Sequence, residues 1–357
     1  MSRESITWLN SNTLIGFTSR RGTAWHWRAE EHGDTSNHYL NAVPLQDVQD
    51  RLFAWTADSR RLAVETPSSP QVMTHLDERD RPARWAVIEG RQAICRSDDT
   101  TGAVMGIFGP GYARHQYREW LLSTVADLLD DDLAISSAGL LRGGAVAWVE
   151  VSMPETITTP EGVAFRPNLL ATTSFDGSIA TTYKRTITDT VCDNTRDLAL
   201  AEPGPTVKIR HSRHSRAQLA PARQALQMIH TLAQEFTSEV QLLCATPVSD
   251  RDWEGFLDAH IPQVTPTGQP LAGRAGTLAD RRRETLQRLW TSDPRVSPWT
   301  GTAHGVLQAV NTYEHHEGIV RGADRAERNS LKTLTDGYRD LDRTTLQTLN
   351  KVLEQAA

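Results

Sequence analysis

Residues 133–153, LAISSAGLLRGGAVAWVEVSM, and residues 165–186, FRPNLLATTSFDGSIATTYKRT, decide the fold. In the first, residues 134–141 lead through Arg142-Gly143-Gly144 into a run carrying Val146, Trp148, Val149 and Val151, branched and aromatic side chains that suit a pleated surface. In the second, 165–174 and 179–186 flank Asp176-Gly177, a dipeptide that tolerates the positive φ of a tight hairpin turn. Strands joined by such short turns imply an antiparallel sheet, because parallel neighbours need long crossovers.

Upstream, Leu45, Val48, Leu52 and Phe53 share one face of a short amphipathic helix. Two strand-like runs, 61–66 and 84–97, are separated by a charged loop that includes HLDERDRPAR, and read as a hairpin or connected strand pair. Residues 104–108 form another short strand. The GIFGPGYAR that overlaps it is a turn rather than a dinucleotide fingerprint, since Arg114 stands where a small residue must let helix and strand approach. The spacing of Tyr117, Leu121, Leu122, Val125, Leu128 and Leu129 predicts a helix of about four turns. Asp130–Asp132 at its end read as solvated surface rather than a metal site.

Downstream, 188–201 predicts a helix with Thr188 as N-cap. TVKIRHSRHSR (206–216) then concentrates Lys208, Arg210, His211, Arg213, His214 and Arg216, and extended backbone alternates such charges between two faces. From 216 the pattern turns helical. Leu219, Ala222, Leu226, Ile229, Ala233, Phe236, Val240 and Leu243 make a seam that closes a bundle within the chain, the favoured reading, or an interface between subunits. Residues 261–276 read as a Gly/Pro-rich connector. Thr277 is the expected cap of a helix bearing Arg281, Arg282, Arg283 and Arg288, a solvated face or an auxiliary phosphate contact. A further helix starting near Thr302 carries His304, Gln308, Asn311 and His315 along one stripe, read as buried hydrogen-bonding groups because the spacing lacks a two-ligand metal geometry.

The chain has 357 residues, 38% of them hydrophobic, and a net charge of −6. That balance excludes a uniformly basic nucleic-acid binder but leaves room for a basic face. Cys95, Cys192 and Cys244 are too scattered for a zinc ribbon or disulfide framework. A reducing cytoplasm is the expected compartment, with neither an export signal nor a membrane span. Only Lys184, Lys208, Lys332 and Lys351 are lysines. A coding bias explains the arginine excess more simply than phosphate recognition does. No phosphate-cradling loop, nucleophile elbow or HExxH helix occurs. A metal-dependent nuclease built on Asp98, Glu150, Asp176 and Lys184 is the weakest reading.

Seven pieces carry a resemblance: RRGTAWH, RSDDTTGAVMGIFGPGY, SSAGLLRGGAVAWVEVSMPE, TTSFDGSIATT, DTVCDNTRDLAL, IRHSRHS and GTAHGVLQAVNTYEHH, in this order between about residues 20 and 320. On these the chain resembles the phage/plasmid-related protein family, a family of unknown function of actinobacterial phages, prophages and mobile plasmids. It departs from the family at His304, where Trp is usual, and in lacking a proline near the Trp-His element. The resemblance implies a setting in mobile DNA and brings no catalytic residues. The order of sheet and helices is similar to that of single-strand annealing proteins.

The expectation is an α+β protein: an N-terminal arm (1–45), an antiparallel-sheet core domain with packed helices (46–215) and a mainly helical C-terminal region (216–357). It is expected to bind single-stranded DNA as a homo-oligomer, annealing or protecting strands, without cofactor, metal or catalytic residue. A host or phage replication or recombination protein is a further expected partner. Lys184, Arg185, Lys208, Arg210, Arg213 and Arg216 would track phosphates, Arg281, Arg282 and Arg283 would assist, and Trp25 and Trp27 would stack on bases. The alternative is a structural or host-factor interaction protein without catalysis.

Overall fold

A computed structural model describes residues 6–23, 36–65, 85–126, 133–153, 156–186, 206–212, 215, 229–320, 325–335 and 337–356. The fold is α+β, with antiparallel sheets in the N-terminal half and helices beyond residue 229.

Residues 133–153 and 165–186 form the centre of a six-stranded sheet. Strands β5 (Ala134–Leu141), β6 (Val146–Ser152), β9 (Asn168–Ser174) and β10 (Thr181–Thr186) pair antiparallel, with β1 (Thr13–Ile15) outside β5 and β11 (Thr206–Ile209) outside β10. The N-terminal arm therefore supplies a strand. Arg142, Gly143 and Gly144 take φ of 52°, 65° and 94° in turning β5 into β6, a left-handed path that costs little at glycine and strains Arg142. The Asp176-Gly177 connection is longer than a two-residue turn: β10 begins at Thr181, and 175–180 form a loop closed by the bonds of Ser174 to Ile179. Asp176 accepts from the Ser178 N–H at 2.8 Å, the local side-chain bond that Asp favours in turns.

Every residue of β6, β9 and β10 is buried, because both faces of the sheet are covered. On one face Ala147, Val149, Val151, Leu169, Ala171 and Tyr183 meet Val48, in the middle of helix α3 (Leu45–Arg51), and Leu52, just beyond its end. Trp120, Leu121 and Val125 join them from a π-helical turn, Arg118–Ser123, that runs into α4 (Thr124–Ala126). The long helix expected here is thus wound differently, and Asp130–Asp132 lie outside the described residues. The opposite face, with Val146, Trp148 and Leu170, meets Leu9 of α1 (Ile6–Asn12) and Leu334 of α9 (Arg325–Leu334).

Strands β2 (Ala57–Glu65), β3 (Trp85–Arg96) and β4 (Gly106–Phe108) make a second antiparallel sheet. Its inner end is anchored by Ala57 and Ile94, whereas Val64 and Val87 at the outer end are about half exposed. This sheet is an arm.

Helices α5 (Ile229–Ala245), α6 (Asp250–His260), α7 (Gly273–Ser292), α8 (Ala303–Thr312) and α10 (Gly337–Ala356) surround a separate core. The described part of the seam is spent within the chain: Phe236, Val240 and Leu243 pack beside Trp253, Leu286 and Val306. Val163 and Phe165, from a small β7–β8 pair (Ile157–Thr158, Ala164–Phe165), also enter this core. Helix α7 begins at Gly273, so Thr277 is an interior residue that bonds back to the Gly273 carbonyl instead of the expected cap. Thr302 caps α8 as its spacing predicts, accepting from Gly305 N–H. The helix expected at 188–201 lies outside the described residues. Among the described residues no helix is long and apolar enough to cross a membrane.

Candidate nucleic-acid interface

The expected phosphate-tracking residues divide by depth. Lys184 is 2% exposed, and its Nζ donates to the Thr333 carbonyl at 2.9 Å, tying β10 to the end of α9. Arg185, on the opposite face of the strand, is also buried, 3.8 Å from Glu235 of α5. Neither can meet a nucleic-acid backbone in this fold, because helices cover both faces of β10. Their role is to hold helices on the sheet. Lys184→Ala is therefore expected to destabilise the protein by about 2 kcal/mol, the scale of a lost charged hydrogen bond, while the salt dependence of any DNA binding stays unchanged. Urea denaturation beside a binding titration checks both.

Lys208 and Arg210 sit on the exposed side of the edge strand and its extension, with Ile209 turned inward. Here the chain passes close to the arm. His211 Nδ1 donates to the Ala113 carbonyl at 2.9 Å, and Arg114 donates to Ser59 Oγ at 3.2 Å. Ser59 in turn bonds Gln92 at 2.7 Å, and Arg61 lies opposite Gln92 across the pair β2–β3. Arg61, Arg91 and Arg114 of the arm region are exposed as well, but strand alternation points Lys208 and Arg210 away from the side on which His211 meets the arm. Ile107 on β4 is half exposed. Sequence reading missed the arm arginines, whose isolated positions gave no local cluster. Arg213, Arg216, Trp25 and Trp27 lie outside the described residues.

The other half of the IRHSRHS motif faces inward. Phe108, Tyr112, His211, His115 and Trp120 form a continuous ring stack with successive centroids 3.9, 4.9, 4.0 and 3.7 Å apart. Threonine hydroxyls of the sheet finish it: His115 contacts Thr181 at 2.6 Å and Ser215 at 2.8 Å, His211 contacts Thr173 at 3.0 Å, and Thr173 contacts Thr181 at 2.7 Å. Burial pushes both imidazoles down, His211 to about 4 and His115 to about 3, the latter also opposed by charge on His211. The stack fixes the basic edge to the arm.

Arg281, Arg282 and Arg283 do not form one patch. Successive helical residues turn by about 100°, so three in a row point three ways. Arg281 is exposed, Arg282 enters a cavity, and Arg283 is paired with Glu254 at 2.5 Å and Asp258 at 2.6 Å.

The nuclease constellation is likewise dispersed. Asp98 pairs with Arg96 at 2.7 Å and Asp176 with Arg142 at 2.8 Å. Glu150 is buried in the sheet against Ser137 at 2.8 Å, separated from Lys184 by strand β9. Among the described residues no three His, Cys, Asp or Glu side chains converge as a metal site. The His304, Gln308, Asn311 and His315 stripe is buried, and Asn311 donates to Asp342 of α10 at 2.8 Å.

No curated protein and no solved structure matches the chain. The arm's last strand, the six-stranded sheet from β5 onward and the helices through α9 all fall within a single family match, and the chain belongs to that family, the domain of unknown function DUF932, over residues 104–335.

Proposed function

We propose that this protein binds single-stranded DNA and anneals or protects it, as a homo-oligomeric DNA-metabolism factor of phages or plasmids. The observation that carries the reading is the pair of exposed cations Lys208 and Arg210 on the sheet edge, with further exposed cations, Arg61, Arg91 and Arg114, in the arm region. Separated cations on a firm scaffold suit a flexible polyanion, since each phosphate neutralised releases condensed counterions. Exposed Ile107 on β4 offers an apolar contact for bases. No base-specific hydrogen-bonding pocket is required, so the binding is indifferent to sequence.

The test is anisotropy of a labelled single-stranded oligonucleotide titrated at several salt concentrations. The expected result is a linear fall of log affinity with log salt. Replacing Lys208, Arg210 and Arg114 together by Ala lowers the steepness by about 2, following the single-strand coefficient of about 0.7 per phosphate contact. Unchanged affinity and slope in that triple variant, with its circular dichroism intact, would remove the assignment.

A further inference from the structure

A cavity of about 400 Å³ opens in the helical region between the end of α6, helix α7, the π-helical turn Tyr313–Glu317 and α9. This volume falls in the range of small-molecule sites. One wall is apolar, made by Ile261, Leu278 and the exposed Ile319. The other carries Arg282 and Arg328.

Arg282 lies 5.3 Å above the Tyr313 ring, and one terminal nitrogen donates to His260 Nε2 at 2.9 Å, 3.5 Å from Glu314. Its Nε–H is buried and finds no acceptor among the described residues. A guanidinium in a half-apolar wall favours an oxyanion, because charge-assisted N–H···O bonds are strong and strengthen away from water. Arg328 bonds Asn329 at 2.9 Å and the Glu314 carbonyl. The Glu314 carboxylate is shared between Arg282 and Lys332, which is 3.2 Å away. Two cations thus share one carboxylate, while Arg328 holds the backbone carbonyl of the same residue. His260 accepts from Arg282 and stays neutral, its pKa lowered by burial and then by the Arg282 charge, so it can serve as an acceptor for a ligand-bearing guanidinium without adding positive charge.

From this arrangement we infer that the cavity binds a small organic anion: one phosphate or carboxylate group, held by Arg282 and Arg328, on a compact apolar body that lies against Ile261, Leu278 and Ile319. The site is remote in sequence from the basic edge and does not rest on the DNA reading.

Calorimetry and thermal shift on the full chain, with inorganic phosphate, adenosine 5′-monophosphate and benzoate as separate probes, test it. The expected result is saturable binding of an organic probe that is tighter than that of inorganic phosphate and weakens about tenfold, or about 1.4 kcal/mol, in Arg282→Lys and in Arg328→Gln. Preference for the monophosphate or for benzoate identifies which acid group is taken. Arg283→Gln, which lies outside the cavity, should bind as the parent does. Absence of binding by both organic probes, or equal binding by the parent and both cavity variants, overturns the inference. Arg282→Lys keeps the charge and so guards against simple failure to fold.

Discussion

Lowering the pH from 7 to 4.5 should bring the protein close to spontaneous unfolding, before most of its carboxylates are protonated. His115, His211, His260 and His304 are enclosed, and burial is the leading cause that lowers each of them, to about 3 for His115 and about 4 for the others. The sign follows from linkage. A folded-state pKa below the unfolded value of about 6.5 means that the unfolded chain binds more protons between the two values. The stability these groups contribute is therefore complete above about pH 6.5 and is lost as pH falls toward about 4. Each contributes at most on the order of 3 kcal/mol over that window, offset in part by Glu239, whose carboxyl burial pushes up to about 7, so the net loss is a large share of the 5–15 kcal/mol of a whole domain.

The His115–His211 pair softens this at its first step. Two neutral imidazoles and the hydroxyls of Thr173, Thr181 and Ser215 supply five protons for seven contacts, among them the bonds to the Ala113 and Ser212 carbonyls. One added proton supplies a further bond, and the second meets the charge of the first. Guanidinium unfolding followed by tryptophan fluorescence at pH 7, 6, 5 and 4.5 measures the slope. A midpoint that does not move between pH 7 and 5 would contradict the prediction, and His304→Asn should flatten the curve by one group's share.

The second large effect sits at a single cross-strand pair. Gly139 on β5 lies opposite Trp148 on β6, whose indole is fully buried. A Cβ at position 139 would fall inside the space of that ring. Gly139→Ala should cost about 3 kcal/mol, at the upper end for overpacking a rigid site. Trp148→Ala should cost about 3–5 kcal/mol by opening a cavity where Leu170 and Leu334 converge. The double variant should be more stable than the sum of the two losses implies, because the added methyl enters space the indole has left. Additive losses in urea denaturation would show that the two positions do not compete for the same volume.

Much of the fold was legible locally. The β-branched run at 146–151, the glycines after Arg142 and the hydrophobic spacing of α8 each name their element without help from elsewhere. The candidate site was legible only in part. Lys208 and Arg210 were found because they cluster in sequence, whereas Arg61, Arg91 and Arg114 are isolated in it and only the fold shows them exposed. Lys184 and Arg185 were misplaced because a polar strand such as TTYKRT reads as surface, while here α9 covers one face and α3 with the π-helical turn the other.

The sequence by itself determined the α+β class, the antiparallel pairing and the location of most helices, since these follow from residue spacing and turn chemistry within a few positions. Only the tertiary structure decided which cations reach solvent, which arginine enters a cavity and which histidines lie in a stack. Those outcomes depend on what packs against each face, and packing joins residues as distant as Lys184 and Thr333, whose contact no local pattern encodes.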